Sequence, residues 1–297
     1  VRAAKPDARL AHFVHIPWPT DWSVLPERMR RDVHDGLLAN DVVAFHTERW
    51  ARNFVRTCED EVGGVGATSV THHPISIDVE EFEQLSGSDA VREQEAGLPA
   101  AEKLIVRVDR TDPSKNIVRG FRAFATLLEG HPEWLGRVTM LALLDPSRQT
   151  IPEYIEYREE IDETVREVNE RFGPVIDLRV ADNFPRSVAA YKRYDVLFVN
   201  PIYDGMNLVA KEGPLVNERD GVLVLSENAG ACEELGEWAV LVDPYDVWGQ
   251  AEALHEALSL PEQERHRRAE AIRAQVRAND VTRWIQGLLA DLDRAAA

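Results

Sequence analysis

Two polar loops after residue 100 combine residue types that can bind a diphosphate. The first loop, DRTDPSKN, follows the apolar run Leu104–Val108 and contains Arg110 and Lys115. Two cations at the end of a strand can stabilise a leaving phosphate in place of a metal ion. The alternative is a solvated turn closed by a salt bridge.

The second loop, NPIYDGMNLVAKEG, follows the apolar run Val196–Val199. Asp204 can accept hydrogen bonds from sugar hydroxyls. Residues 207–209 are expected to begin a helix, whose free N–H groups and dipole suit a phosphate. Glu212 lies about one turn into that helix, where it can accept a ribose diol. The alternative is an Asp-Gly turn followed by a capping Asn.

Three further segments carry weaker signals. His15 follows an apolar run in HIPWP, where the prolines fix an irregular turn. Arg148 lies in DPSR and can meet an anionic ligand, and SENAGACEEL is small and polar enough to line a pocket. The alternatives are a packed histidine, a surface ion pair and an ordinary loop.

Short apolar runs alternate with amphipathic helices along the chain, which predicts parallel sheets covered on both faces. Ligands bind such sheets at the carboxyl ends of the strands. Residues 78–100 are acidic and are expected to be an irregular boundary between two lobes. The predicted strands are Ala11–Ile16, Val42–Phe45, Val70–Ile77, Leu104–Val108, Val138–Leu144, Ile176–Val180, Val196–Val199, Val222–Leu225 and Ala239–Val242.

Length and composition limit the classes of protein. A chain of 297 residues favours two lobes. The net charge of −18 argues against nucleic acid or an anionic membrane as a partner, because both require a basic surface. No apolar run approaches the roughly 20 residues needed to span a bilayer, so a cytoplasmic location is expected. Cys58 and Cys232 fit neither a disulfide framework nor a metal-ligand spacing.

Several segments, taken in order, resemble the trehalose-6-phosphate synthase family, which is retaining glycosyltransferase family 20. The segments are HIPWP, LANDVVAFHT, HHPISID, VDRTDPSKN, DPSR, DGMNLVAKE and LVLSENAGACEEL. The resemblance implies an α/β fold of the GT-B type, with two Rossmann-like lobes. It also implies an enzyme that transfers glucose from UDP-glucose or a similar nucleotide sugar to glucose 6-phosphate, giving trehalose 6-phosphate.

The resemblance also implies roles for individual residues. His15 is expected near the reacting centre and Arg148 at the acceptor phosphate. No protein nucleophile, metal or cofactor enters this scheme: the acceptor attacks the face that the diphosphate leaves, and a phosphate oxygen takes its proton. The implied donor-side residues are Arg110 and Lys115 at the diphosphate, Asp204, Met206 and Asn207 at the glucose, Leu208 and Val209 at phosphate, and Glu212 at the ribose.

The same resemblance divides the chain. Residues 1–90 are expected to be the remainder of an N-terminal, acceptor-side lobe, and residues 100–278 the C-terminal lobe that binds the nucleotide sugar. Residues 279–297 are expected to form a helix that crosses back to the N-terminal lobe. The first segment of the family, with a Gly-rich loop and residues for the acceptor phosphate, is expected to be missing.

Some features depart from the family pattern, so other functions stay open. Tyr203 stands where the family commonly has Arg. One alternative is a non-catalytic or regulatory relative. Others are a glucosylglycerol-phosphate synthase and a pseudo-glycosyltransferase, although the latter has Gln where this chain has Met206. The nucleobase and a homo-oligomeric state are left open.

Overall fold

A computed structural model describes residues 1–295 of the chain, so residues 296–297 of the predicted C-terminal segment lie outside the described part. Across residues 1–295, no helix is both long enough and apolar enough to cross a membrane. The elements follow in this order: β1 (Ala11–Val14), α1 (Glu27–Leu38), β2 (Val42–Phe45), α2 (Glu48–Val62), β3 (Ser69–His72), α3 (Val79–Ser86), α4 (Asp89–Glu95), β4 (Lys103–Arg110), α5 (Ile117–Gly130), β5 (Val138–Asp145), α6 (Pro152–Phe172), β6 (Ile176–Val180), α7 (Phe184–Arg193), β7 (Val196–Val199), α8 (Val209–Val216), β8 (Val222–Ser226), α9 (Cys232–Leu235), β9 (Val240–Val242), α10 (Val247–Ser259), α11 (Glu262–Ala278) and α12 (Val281–Arg294).

The chain forms two compact units, and the first contains residues 1–76 together with the chain from residue 279. Its sheet has three parallel strands in the order β1-β2-β3. All four residues of β2 are buried, and α2 packs on this strand because Trp50 and Phe54 are apolar and buried. Thr47 caps the N-terminus of α2, and Gly63 ends the helix with a φ of 85°.

Helix α12 belongs to this first unit. The ring of Trp284 meets Phe13 edge-on, with ring centroids 5.2 Å apart. His73 Nε2 and Asp291 Oδ2 are 2.5 Å apart. Gly287 permits this approach, because a Cβ there would lie 2.6 Å from His73 Nδ1.

The second unit, residues 77–278, contains a parallel sheet of six strands in the order β6-β5-β4-β7-β8-β9. In chain order, β4, β5 and β6 extend toward one edge of the sheet, and β7, β8 and β9 extend toward the other. The direction in which the chain crosses the sheet therefore changes between β4 and β7, which lie side by side. At such a switch point the connections diverge to opposite faces and leave a crevice at the carboxyl ends of the strands. The nine strands predicted from the apolar runs are all present, with ends that differ by at most a few residues.

The expectation that residues 78–100 are irregular is wrong, because α3 and α4 lie there. Asp78 accepts a hydrogen bond from the first turn of α3, and Ser88 does the same for α4. The acidic residues that suggested a loop include Glu80 and Glu81 in the first turn of α3, where the helix dipole favours negative charge. Each helix also buries an apolar side chain, as Phe82 in α3 shows.

Candidate functional site

A cavity of about 250 Å³ opens at the switch point of the six-stranded sheet. Its walls come from segments at the carboxyl ends of β4, β5 and β6 and from the loop after β7. Side chains from α7 and α8 complete it. The lining residues are Val108, Asp109, Arg110, Lys115, Asp145, Asp182, Phe184, Ser187, Tyr191, Asn207, Leu208, Val209 and Glu212.

A buried guanidinium lies directly behind this cavity. Arg107, near the end of β4, is 0% exposed, and its Nη2 donates to Asp109 Oδ2 at 2.8 Å. The same guanidinium donates to the main-chain oxygens of Lys115, at 3.1 Å, and Ile117, at 3.3 Å. It also reaches Asn200 Oδ1, after β7, at 3.2 Å. One side chain therefore holds the loops after β4 and β7 together.

Amide side chains extend this network. Asn116 has a φ of 59°, and its Nδ2 donates to the oxygens of Asn200, at 3.0 Å, and Pro244, at 2.7 Å. Asn200 Nδ2 in turn donates to Gln250 Oε1 at 2.8 Å. Gly120 makes room for the network, because a Cβ there would lie 2.2 Å from the Arg107 guanidinium.

An ion pair joins the two loops at the edge of the cavity. Lys115 Nζ lies 2.6 Å from Asp204 Oδ2, and both side chains are less than one-fifth exposed. Burial lowers the pKa of Lys115, but Asp204 and Asp109 outweigh that effect and raise it above the usual value. Lys115 is therefore a permanent cation. Arg110, which is exposed, adds a second positive charge to the lining.

Asp204 also shapes its own loop. Its Oδ2 accepts from Asn207 Nδ2 at 3.1 Å, and its Oδ1 accepts from the amide of Met206 at 3.4 Å. Asn207 has a φ of 75°, a left-handed conformation that Asn tolerates better than most residues. Among residues 1–295, the buried Oδ1 of Asn207 has no hydrogen-bond partner. An unpaired buried acceptor beside a cavity is suited to a ligand hydroxyl.

Helix α8 points its N-terminus at the cavity. The residue before it, Leu208, supplies no side-chain cap, and Leu208 and Val209 both line the cavity. Uncapped N–H groups at a helix N-terminus carry partial positive charge and bind anions. Because Arg110 and Lys115 lie on the same cavity, this wall is positively charged within a strongly acidic chain.

One turn into α8 the cavity lining is acidic, because Glu212 lies there. Glu212 accepts a hydrogen bond from the hydroxyl of Tyr191 at 3.1 Å. Burial raises the pKa of Glu212, and the bond from Tyr191 only partly opposes that rise. Burial also raises the pKa of Tyr191 well above its usual value, so it remains a donor. The second oxygen of Glu212 is the acceptor that a diol would use.

Several lining residues were not predicted from the sequence. Asp145 and Asp182 are two of them. Burial, together with the charges of Asp182 and Asp109, raises the pKa of Asp145. Phe184 lies on the lining with its side chain 45% exposed. Asp145 directly follows the predicted strand Val138–Leu144, and Asp182 lies just after the predicted strand Ile176–Val180, so their positions gave a signal for them. Tyr191 gave none, since it lies inside a helix.

The loop SENAGACEEL supports the site from behind. The amide of Gly230 donates to the oxygen of Asp204 at 3.0 Å, and the amide of Ala231 donates to the oxygen of Met206 at 2.9 Å. A Cβ on Gly230 would lie 2.0 Å from the oxygen of Gly205, so only glycine allows this contact. This loop was expected to line a pocket. It holds the neighbouring loop in place.

Most of the predicted donor-side residues line or border this cavity, whereas Arg148 and His15 are not among the residues that line it. Arg148 is exposed, has a φ of 43°, and donates to the hydroxyl of Tyr154 at 2.9 Å. His15 belongs to the first unit, where its ring contacts Phe13 and His46 at centroid distances of 5.0 and 5.2 Å. Met206 is 3% exposed, and its backbone N–H donates to Asp204 Oδ1.

A doubly wound parallel sheet with an uncapped helix and two cations at its switch point has the features by which α/β proteins bind nucleotide phosphates. Residues 1–294 match the model of glycosyltransferase family 20. The chain therefore belongs to that family, as the motifs predicted.

Individual relatives agree with this assignment. The chain is 38% identical to a bifunctional trehalose-6-phosphate synthase/phosphatase of Thermoproteus tenax, over 92% of this chain and 40% of that protein. It is 31% identical to a validamine 7-phosphate valienyltransferase of Streptomyces hygroscopicus subsp. jinggangensis, over 100% of this chain and 62% of that protein. The chain thus spans less than two thirds of the length of these curated relatives.

A solved structure confirms the fold class. It is an α,α-trehalose-phosphate synthase (UDP-forming) from Burkholderia xenovorans in complex with glucose 6-phosphate. The match has a TM-score of 0.87 and 32% identity, and it covers 98% of this chain and 70% of that chain. The predicted α/β fold of the GT-B type is therefore correct.

The buried pair of Arg107 and Asp109 can be tested by a double-mutant cycle. Arg107→Met leaves the Asp109 carboxylate buried without its cation, which lowers the free energy of unfolding by about 3–5 kcal/mol. Replacing both residues, as Arg107→Met with Asp109→Leu, is expected to recover most of that loss, because no unpaired charge remains. Urea denaturation measures the free energy of unfolding of the single and double variants. A double variant as unstable as the sum of the two single variants would contradict the pairing.

Proposed function

We propose that this chain is the nucleotide-sugar-binding part of a retaining glycosyltransferase that moves glucose from UDP-glucose to glucose 6-phosphate, giving trehalose 6-phosphate. The observation that carries the proposal is the division of one cavity into two walls. Arg110, Lys115 and the N-terminus of α8 form a wall for phosphates. Glu212, in the first turn of α8, offers a carboxylate to hydroxyl groups in the same cavity.

In this proposal the diphosphate of the donor lies against α8. The N–H groups of Leu208 and Val209 donate to one phosphate, and Arg110 neutralises the other. Lys115 is already paired with Asp204 at 2.6 Å, but an ammonium group has three protons and can donate to a phosphate as well. Charge that develops on the departing UDP is then stabilised by groups already in position.

The sugars of the donor fit the acidic part of the site. We place the ribose diol on Glu212, which Tyr191 orients. The transferred glucose lies near Asp204, Asn207 and the backbone of Met206, where the unpaired Oδ1 of Asn207 accepts from a sugar hydroxyl. The half-exposed ring of Phe184 is placed to stack on the base. Uracil is supported by the UDP-forming relative.

The acceptor assignment rests on the relatives. The related protein from Burkholderia xenovorans was solved with glucose 6-phosphate, and the exposed guanidinium of Arg148 is the proposed contact for an acceptor phosphate. The proposed chemistry retains configuration without a protein nucleophile. The acceptor attacks the face that the diphosphate leaves, a phosphate oxygen takes its proton, and the chain contributes position and charge. His15 stays the proposed residue near the reacting centre.

We also propose that the two units correspond to the two lobes of the fold. The second unit, residues 77–278, is the proposed nucleotide-sugar lobe, and residues 1–76 are proposed to belong to the acceptor-side lobe, so the division lies before α3 and not at the expected residues 90–100. The grouping of the chain from residue 279 with residues 1–76 supports a final helix that returns to the acceptor-side lobe. A cytoplasmic location remains part of the proposal.

A second candidate function is transfer to a different acceptor. The valienyltransferase relative covers the whole of this chain at 31% identity, so a cyclitol phosphate is the leading alternative. The name of that relative gives a valienyl group as the group transferred, so the residues that would differ are those that meet the transferred group and the acceptor. The donor wall of Arg110, Lys115 and α8 serves either reaction.

Donor binding tests the phosphate wall. Arg110→Ala and Lys115→Ala each remove a charge-assisted contact worth about 1.5–3 kcal/mol, so the Kd for UDP should rise about 10- to 100-fold. Lys103→Ala is the matched control, because Lys103 begins the same strand that Arg110 ends and pairs with Asp195 instead. Isothermal titration calorimetry measures the Kd for UDP of the three variants. UDP affinity unchanged in both site variants would remove the basis of the proposal.

Turnover separates the candidate functions. We expect UDP to be released from UDP-glucose only when glucose 6-phosphate is present. A coupled assay measures the UDP released, and NMR is expected to show the α configuration in the product. Parallel reactions contain glycerol 3-phosphate, a cyclitol phosphate or no acceptor. Turnover with one of those other acceptors alone would replace the proposed substrate. Tight UDP binding without any turnover, both by the full-length gene product and by this segment, would favour a non-catalytic relative.

A further inference from the structure

A cluster of metal-ligating side chains lies at the far edge of the second unit. His131 follows α5, Glu133 lies in the 3₁₀ turn Pro132–Trp134, and His255 lies on α10. Each offers one ligand atom, and these atoms are all within 4.8 Å of one another. Helix α5 runs back from the carboxyl end of β4 to the start of β5. The cluster is therefore at the edge of the sheet opposite the donor cavity.

Neighbouring groups make a hydrogen bond with one nitrogen of each imidazole. Glu252 Oε1 lies 3.1 Å from His131 Nε2 and accepts a hydrogen bond from the tautomer that is protonated there, in which Nδ1 carries the lone pair. The indole N–H of Trp134 donates to His255 Nδ1 at 3.1 Å. Because an indole only donates, His255 Nδ1 is also a lone pair.

The spacing of these groups matches a metal centre. The two imidazole rings stack with centroids 3.6 Å apart and planes 9° from parallel. Glu133 Oε1 lies 3.5 Å from His131 Nδ1 and 4.0 Å from His255 Nδ1. Ligands at about 2.0–2.2 Å from a tetrahedral Zn²⁺ are separated by about 3.3–3.6 Å. Because each imidazole directs its lone pair in the plane of its ring, one of the two rings must rotate out of the stack for both to bind the same ion.

We propose that His131, His255 and Glu133 bind a divalent transition metal, Zn²⁺ by ligand type, at a site separate from the donor cavity. The fourth position is open to water, since these side chains are partly exposed. Glu252 is the outer carboxylate that orients a ligating histidine. The ion joins the turn after α5 to α10, the helix that also carries Gln250 of the Arg107 network.

The two halves of the site come from distant parts of the chain. His131 and Glu252 are 121 positions apart in the chain. The sequence therefore shows no short spacing that connects the two sides of the site. Such a link stabilises the packing of α10 on the unit. It takes no part in the proposed transfer reaction, and its test can fail without affecting that proposal.

Zinc titration by calorimetry, on the metal-free chain without an affinity tag, tests the site. We expect one high-affinity Zn²⁺ per chain, which is lost in His131→Ala with His255→Ala. We also expect Zn²⁺ to raise the melting temperature of the wild type and to leave that of the double variant unchanged. His266→Ala is the control, because His266 pairs with Asp220 elsewhere. Absent binding, or binding equal in the double variant, would overturn the proposal.

Two single substitutions test the assigned ligand atoms without removing a ligand. Glu252→Ala should weaken Zn²⁺ binding about 10- to 100-fold, because the outer carboxylate is lost. Trp134→Phe should strengthen it, because the indole no longer competes for His255 Nδ1. Circular dichroism checks that both variants fold. Unchanged affinity in Trp134→Phe would contradict the ligand assignment.

Discussion

The burial of the Arg107 guanidinium is the constraint on which the site depends. A guanidinium with 0% exposure must find acceptors for its N–H groups, because an unpaired buried charge is strongly destabilising. Asp109, two main-chain oxygens of the loop after β4 and the side chain of Asn200 supply them. The requirement fixes that loop against β7, and Gly120 is the residue that leaves space for it. The cavity between β4 and β7 is shaped by this packing.

The charged groups give the cavity a basic side and an acidic side. The chain carries a net charge of −18, so a phosphate is attracted only where cations and helix N–H groups are concentrated. Lys115 stays charged because Asp204 and Asp109 outweigh its burial. On the other wall, burial raises the pKa of Glu212 and Tyr191 fixes its orientation. In the proposed function, phosphates and sugar hydroxyls therefore bind to different sides of the same cavity.

Much of this could be predicted from the sequence, because buried parallel strands appear as apolar runs and the polar loops after them are short. That reasoning located Arg110, Lys115 and the start of α8. It did not identify Arg107, whose partner Asn200 is 93 positions away, nor the contact of Gly230 with Gly205. Such relations depend on which strands become neighbours. The segment 78–100 was misjudged because capping residues and acidic first turns have the composition of a loop.

A crystal structure of the chain with UDP tests the central claim most directly. We expect the diphosphate within hydrogen-bonding distance of Arg110, Lys115 and the amides of Leu208 and Val209. We expect the ribose hydroxyls on Glu212. UDP bound at another surface, or bound in this cavity with its diphosphate directed away from α8, would contradict the assignment of the switch point as the donor site.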